Sequence, residues 1–167
     1  LPISEEGSPF WTGDINTYNS IAFIKGSSPY LEKTHRGTVN DLARVYWVKV
    51  ENYSPETNRA LIRTLTEEEL PIARLVDPVN GAWIEAELLF PLLRGREVGR
   101  YSSDPQGWYQ IIPNNHYRLF DNELDFSVKY PCAYAYFERY FNLLKERATF
   151  KKFSKTQPCY SVFCIGD

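Results

Sequence analysis

The sequence has no methionine, three cysteines and two histidines among its 167 residues. Since an initiating methionine is missing, we expect the chain to be a segment of a larger protein. The few cysteines and histidines do not have the number or spacing of a tetrahedral zinc site, so no metal site is predicted. An odd number of scattered cysteines favours free thiols in a reducing compartment, and a cytoplasmic location is expected.

Long apolar runs are also missing. No stretch approaches 18 consecutive apolar residues, which predicts no membrane-spanning helix and no membrane partner. The sequence has no glycine-rich phosphate loop, no dinucleotide fingerprint and no Gly-x-Ser-x-Gly nucleophile motif. These absences predict no catalytic residue and no cofactor in this chain. A catalytic domain with dispersed active-site residues is the least favoured interpretation.

Aromatic residues are abundant, and the cations are unevenly distributed. The chain contains 10 Phe, 4 Trp and 12 Tyr, and 43% of its residues are hydrophobic, enough to bury a core. Residues 1–90 carry 8 Lys and Arg against 13 Asp and Glu, whereas residues 91–167 carry 11 against 8. This excess suits a polyanionic partner, because Lys and Arg contacts with phosphates release counterions. A solvated basic surface is the plainer alternative.

Residue periodicity predicts an α+β fold built on an antiparallel sheet. Short runs of branched and aromatic residues are typical of strands, and they occur at residues 21–25, 44–50, 59–65, 108–112 and 160–165. The second and third runs flank a turn and are predicted to form a hairpin. Thr66 and Glu69 have the spacing of a helix-capping box, although Pro71 keeps any helix there short.

Short helices and one long amphipathic helix near residues 131–148 complete the prediction. Proline suits the first turn of the long helix, because the N–H that proline lacks would be unpaired there anyway. Apolar residues at helical spacing define its predicted buried face: Tyr134, Phe137, Phe141, Leu144 and Ala148, widened by Tyr136, Tyr140 and Leu143.

Two basic groups stand out in the second half of the chain. The first is Arg94, Arg96 and Arg100, around a glycine turn. The second lies near the C-terminus and includes Lys145, Lys151, Lys152 and Lys155. Aromatic residues lie near the first group: Tyr101, Trp108, Tyr109 and Tyr117. Basic and aromatic residues alternate in this way on nucleic-acid-binding surfaces, although core packing is the commoner role of any single aromatic.

The sequence FPLLRGREVGRY at residues 90–101 is the most specific feature of the chain. It resembles a segment of the target-recognition domain (the TaqI-like C-terminal specificity region) of type IIG and related adenine-N6 DNA methyltransferases. Other pieces resemble that domain in the same order: Arg36-Gly37 with Asn40 and residues 45–47, residues 108–113, residues 131–147 and residues 158–166. The resemblance covers residues 36–167, after an N-terminal loop and first strand at residues 1–35.

The resemblance implies a reader of DNA sequence without the domain that methylates DNA. The family's catalytic Asp/Asn-Pro-Pro-Tyr/Phe motif is absent, so this chain is not expected to be an enzyme. Its expected partners are double-stranded DNA and the parent's own catalytic domain. S-adenosylmethionine, and Mg²⁺ if the parent also cleaves DNA, would belong to the parent. The residues expected to contact DNA are Arg94, Arg96, Arg100, Lys145, Lys151, Lys152 and Lys155.

An aromatic-rich carbohydrate- or peptide-binding domain is the alternative interpretation, supported by the aromatic content alone. Salt dependence separates the two, because DNA binding weakens steeply with added salt and carbohydrate stacking does not. Structural roles are also weighed for three of the arginines. The turn at Arg94 and Arg96 is equally well explained as a hairpin with solvated arginines, and Arg147 is expected to stack on an aromatic ring rather than contact DNA.

Overall fold

A computed structural model describes residues 14, 16, 37–113, 123–153 and 157–163. Contacts divide the chain into two units, Leu1–His35 and Arg36–Asp167. In the first unit, the Asn16 backbone N–H donates to the Asp14 carboxylate at 3.0 Å. The strand predicted at residues 21–25 and the predicted DNA contact Lys155 lie outside the described residues. The structure below is that of the second unit.

A five-stranded antiparallel sheet forms the centre of this unit. Its strands are β1 (Trp47–Ser54), β2 (Arg59–Thr64), β3 (Asn80–Glu85), β4 (Leu89–Pro91) and β5 (Trp108–Ile111). They lie in the order β3-β2-β1-β5-β4 across the sheet. The antiparallel sheet and the β1–β2 hairpin predicted from the sequence are therefore confirmed. The strand predicted from residue 44 begins only at Trp47, because Ala43–Tyr46 form a single helical turn, α1.

Side chains alternate between the two faces of the sheet. In the β1–β2 pair, Val48 lies opposite Thr64 and Lys49 lies opposite Arg63. The face that contacts the helices carries fully buried aliphatic side chains from four strands: Val48, Ile62, Ile84 and Ile111. Burying one such side chain contributes about 1.5–3 kcal/mol, so this face supplies much of the folding free energy. The other face carries charged side chains, among them Lys49 and Arg63.

The prediction of a single long helix at residues 131–148 is wrong. The described helices in this part of the chain are α2 (Glu123–Lys129), α3 (Pro131–Glu138), α4 (Phe141–Lys145) and α5 (Ala148–Phe153). The first interruption falls at Tyr140, whose φ of −111° and ψ of 6° leave the helical region. The Tyr140 hydroxyl donates to the Asp77 carbonyl at 2.7 Å. This contact with a distant loop accompanies the break and is invisible to local periodicity.

The buried face of residues 131–148 agrees with the predicted face only in part. Tyr134 and Phe141 are only half-buried, and Ala148 is exposed. The buried residues in this range are Ala133, Tyr136, Phe137, Tyr140, Leu144 and Arg147. Four of them, Tyr136, Phe137, Tyr140 and Leu144, lie on the predicted face. The predicted start of the helix is confirmed, since Pro131 occupies its first turn. No helix in the described part of the chain is both long enough and apolar enough to cross a membrane.

Arg147 lies in the interior, where it joins distant parts of the chain. Its guanidinium donates to the carbonyls of Asn40 at 2.8 Å, Cys159 at 2.6 Å and Ser161 at 2.7 Å. Its Cζ lies 5.4 Å from the centroid of the Tyr46 ring. The predicted stacking role of Arg147 is confirmed.

The strand predicted at residues 160–165 is, in its described part, a single antiparallel bridge between residues 163 and 39.

Candidate nucleic-acid interface

Residues 92–107 connect the paired strands β4 and β5 and are here called the β4–β5 loop. At its base, the Leu92 N–H donates to the Trp108 carbonyl at 2.9 Å. The loop contains one 3-10 turn, Gly95–Glu97, and then an antiparallel bridge between Val98 and Ser103. This arrangement places residues 99–102 at the tip of the loop.

Arg94 fixes the base of the β4–β5 loop. Its guanidinium donates to the Glu97 carboxylate, and its Cζ lies 3.7 Å from the centroid of the Trp108 ring. The Arg94 backbone N–H donates to Glu97 at 2.9 Å, and the Glu97 N–H donates to the Arg94 carbonyl at 2.8 Å. The two side chains are 10% and 5% exposed. Arg94 therefore has a structural role in the loop, and its contact with DNA stays a prediction.

The Glu97 carboxylate stays ionised in this setting. Burial by itself raises the pKa of Glu97, but hydrogen bonds from the Arg94 side chain and backbone and the charges of Arg94 and Arg96 outweigh it. The pKa of Glu97 is therefore lower than usual. The Arg94 charge is neutralised within the loop, so the positive charge that the loop displays comes from Arg96 and Arg100.

Arg96 and Arg100 are both exposed. The Cζ of Arg96 lies 6.0 Å from the Trp108 ring centroid, at the edge of the range for a cation–π contact. The Cζ of Arg100 lies 5.2 Å from the centroid of the neighbouring Tyr101 ring. Among the described residues, neither arginine forms an ion pair. Both guanidinium groups remain available to an anionic partner.

The predicted lysines lie on other elements. Lys145 is exposed on α4, with its Nζ 5.9 Å from the Phe141 ring centroid, and Lys151 and Lys152 are exposed on α5. The Thr149 backbone N–H in the first turn of α5 donates to Asp41 at 2.9 Å, which fixes where this helix begins. The predicted basic residues thus form two groups, one on the β4–β5 loop and one on α4 and α5.

The structure separates the aromatic residues that the sequence grouped together. Trp108 is 6% exposed beneath Arg94, and Tyr109 is half-buried on the face that contacts the helices. Tyr117 lies outside the described residues. Tyr101, by contrast, is 88% exposed at the tip of the β4–β5 loop. Core packing accounts for Trp108 and Tyr109 and fails for Tyr101.

Sequence reasoning missed an ion-pair cluster on the outer face of the sheet. Glu69 lies 2.6 Å from the Lys49 Nζ and 2.8 Å from the Arg63 guanidinium, which also lies 3.4 Å from Glu51. The hydrogen bond from Arg63 is the main cause that holds the pKa of Glu69 well below its usual range, against the effect of burial. The predicted capping box is present, since Glu69 accepts the Thr66 N–H at 2.9 Å and donates its own N–H to Thr66 Oγ1. These cations are neutralised and are not available to a polyanion.

The described residues contain no group of three or more His, Cys, Asp or Glu side chains that are placed to hold a metal ion. The β4–β5 loop combines two exposed arginines, Arg96 and Arg100, with the exposed ring of Tyr101. A comparison with protein-family models, curated proteins and solved structures found no match to this chain.

Proposed function

We propose that this chain is a sequence-specific DNA-binding module, the target-recognition part of an adenine-N6 DNA methyltransferase or of a combined restriction-modification enzyme. The observation that carries this proposal is that the arginines of the β4–β5 loop have different roles. Arg94 fixes the loop from inside, while Arg96 and Arg100 stay exposed without an ion pair among the described residues. The sequence resemblance of residues 36–167 supplies the class of parent enzyme.

A fixed loop is well suited to reading DNA. Arginine is the commonest reader of guanine, because its planar guanidinium donates two hydrogen bonds to the base edge in the major groove. Presenting that group from a backbone held by Arg94 and Glu97 lowers the conformational entropy lost on binding. Arg96 and Arg100 are therefore the proposed base or phosphate contacts.

The lysines would position the duplex without reading it. Phosphate contacts fix the register and orientation of a protein on DNA but carry no direct sequence information. The exposed lysines Lys145, Lys151 and Lys152 suit this role, and Lys155 joins them in the proposal. The module itself would hold no cofactor, since S-adenosylmethionine and any Mg²⁺ belong to the catalytic part of the parent. It would act in the cytoplasm, whose reducing conditions suit the free thiols of Cys132 and Cys159.

The proposal is tested by selecting duplexes from a random pool with the full 167-residue chain at low salt. Low salt is chosen because the net charge of −2 limits long-range attraction to DNA. We expect one sequence motif to be enriched, and each base-pair change within it to weaken binding by about 1–3 kcal/mol. Equal affinity for enriched and scrambled duplexes would contradict sequence-specific recognition.

Peptide binding is the second candidate, because the β4–β5 loop also exposes apolar side chains. Leu93, Val98 and Tyr101 are all exposed on this loop. Salt separates the candidates: DNA affinity should fall by orders of magnitude between about 50 and about 200 mM salt if several phosphates are contacted. A peptide bound through these apolar residues would keep its affinity over that range.

A further inference from the structure

We propose that Tyr101 is a base-stacking residue, and that the tip of the β4–β5 loop binds a base that is unpaired or unstacked within the duplex. This inference rests on the proposed DNA-binding function and adds a ligand class to it. The functional assignment alone requires only arginine contacts with paired DNA. A stacking tyrosine predicts in addition that the chain prefers a duplex in which one base is unpaired or unstacked.

The exposure of Tyr101 is the first observation. Tyr101 is 88% exposed, the highest value among the exposed aromatic residues that the structure describes. The next tyrosine in this ranking, Tyr53, is 50% exposed on β1 and donates its hydroxyl to Asn58 at 3.0 Å. Single exposed apolar residues are ordinary on protein surfaces, so exposure needs support from the surrounding geometry.

The backbone around Tyr101 provides that support. The Gly99 N–H donates to the Ser102 carbonyl at 2.8 Å, and the bridge between Val98 and Ser103 closes the turn below it. The turn is narrow at this point, since a Cβ on Gly99 would lie 2.8 Å from the Ser102 hydroxyl. Below the turn, the Asp104 N–H donates to the Glu97 carbonyl at 2.9 Å. The ring therefore projects from a tight turn that a single antiparallel bridge closes.

Arg100 joins a positive charge to the ring. Its Cζ lies 5.2 Å from the Tyr101 ring centroid, within the range of a cation–π contact. Tyr101 as a whole nevertheless remains 88% exposed, so its ring is open to a ligand. A guanidinium next to an open aromatic ring matches the two parts of a nucleotide, since the cation suits the phosphate and the ring suits the base.

The Tyr101 ring can bind a base by stacking on it, and stacking requires an accessible base face. In an intact duplex each base face is covered by its neighbours, so the ring gains this contact only where a base is unpaired or its stack has opened. Base–aromatic stacking contributes about 1–3 kcal/mol per base in proteins that bind single strands. The Tyr101 contact is therefore expected to strengthen binding by at least about five-fold, the equivalent of the lower limit.

The test compares two duplexes of the same selected sequence, one fully paired and one with a single unpaired 2-aminopurine in the motif. The wild-type chain, Tyr101→Ala, Tyr101→Phe and the matched exposed-tyrosine control Tyr53→Ala are titrated against both at low salt. We expect the wild type to prefer the unpaired duplex by at least about five-fold and to quench its fluorescence. Tyr101→Ala should lose both effects and keep its affinity for the paired duplex. Tyr101→Phe and Tyr53→Ala should behave as the wild type.

The outcomes separate the inference from the function on which it rests. If the wild type binds neither duplex, the proposed DNA-binding function is overturned and the inference with it. If it binds both duplexes equally, or if Tyr101→Ala keeps the preference, the stacking role alone is overturned. An unchanged affinity of Tyr101→Ala for both duplexes would assign the ring to a protein contact instead.

Discussion

The β4–β5 loop and the C-terminal segment from α4 to residue 163 each combine one largely enclosed arginine with exposed cations, but these two arginines act over different distances. Arg147 is 3% exposed and bonds the Asn40 carbonyl, 107 positions away in the sequence. Arg94 bonds the Glu97 carboxylate, three positions away. Arg147 therefore stabilises the whole unit, whereas Arg94 stabilises the shape of one loop.

This comparison predicts different consequences for similar substitutions. Loss of a contact between distant segments should lower the free energy of unfolding of the entire unit. Loss of a contact within one loop should act mainly on the conformation of that loop, and hence on binding. Loss of an exposed cation should change neither the free energy of unfolding nor the conformation of the loop. It should weaken only the binding of the partner.

The largest effect is expected from Arg147→Ala. This substitution leaves the carbonyls of Asn40, Cys159 and Ser161 buried without their donor, each at a cost of about 1–3 kcal/mol. We expect the free energy of unfolding to fall by at least about 3 kcal/mol in urea denaturation. Arg139→Ala, which removes an exposed arginine near the end of α3, is the matched control and should change stability little. A small effect of Arg147→Ala would remove the distinction between the two regions.

A smaller effect is expected from Arg94→Ala. Glu97 would lose its guanidinium partner and Trp108 its stacked cation, which should lower the free energy of unfolding by about 1–3 kcal/mol. Backbone amide exchange should accelerate at residues 94–104 and remain slow in the β1–β2 hairpin. Uniform acceleration over the sheet would show that Arg94, like Arg147, stabilises the whole unit.

The dependence of stability on pH sharpens the role of Glu97. Its pKa is lower in the folded state than its ordinary value, so the ionised carboxylate contributes stability above the unfolded-state pKa of about 4.3. That contribution is lost as the pH falls through the lower, folded-state pKa. Glu97→Gln should show a weaker loss of stability in acid than the wild type, as measured by urea denaturation at a series of pH values. Equal acid sensitivity would contradict the lowered pKa.

The smallest effect is expected from Tyr160→Phe. Among the described residues, the buried Tyr160 hydroxyl has no hydrogen-bond partner, whereas the Tyr136 hydroxyl donates to the Val45 carbonyl at 2.7 Å. Tyr136→Phe should lower the free energy of unfolding by about 1 kcal/mol, because it leaves a buried carbonyl without its donor. Tyr160→Phe should leave stability unchanged or raise it slightly, since the desolvation cost of an unpaired hydroxyl disappears. A loss in Tyr160→Phe equal to that in Tyr136→Phe would contradict this difference.

Patterns among neighbouring residues were sufficient to predict the β1–β2 hairpin and the start of α3. The run of branched and aromatic residues at 44–50 predicted strand β1, and the turn between this run and residues 59–65 predicted the hairpin. The proline at position 131 predicted the start of a helix. Each of these features depends on neighbours a few positions apart, which the sequence displays directly.

The remaining features depend on contacts between distant residues. The break at Tyr140 accompanies a bond to Asp77, 63 positions away, so periodicity alone predicted one helix where the structure has several. The roles of Arg94 and Arg96 separate because Trp108 returns beside the turn when β5 pairs with β4. Glu97, three residues after Arg94, was the one local signal that an ion pair would hold the turn.

The most direct test of the division between Arg94 and Arg96 is the salt dependence of DNA affinity for the wild type and Arg96→Ala, with Arg139→Ala as the control. We predict that Arg96→Ala keeps the wild-type stability within about 0.5 kcal/mol, because its side chain is exposed. If Arg96 contacts a phosphate, the slope of log affinity against log salt should fall by about one. If it reads a base, affinity for the selected sequence should fall by about 1–3 kcal/mol. A folded Arg96→Ala with unchanged affinity and unchanged slope would remove the β4–β5 loop from the DNA-binding surface.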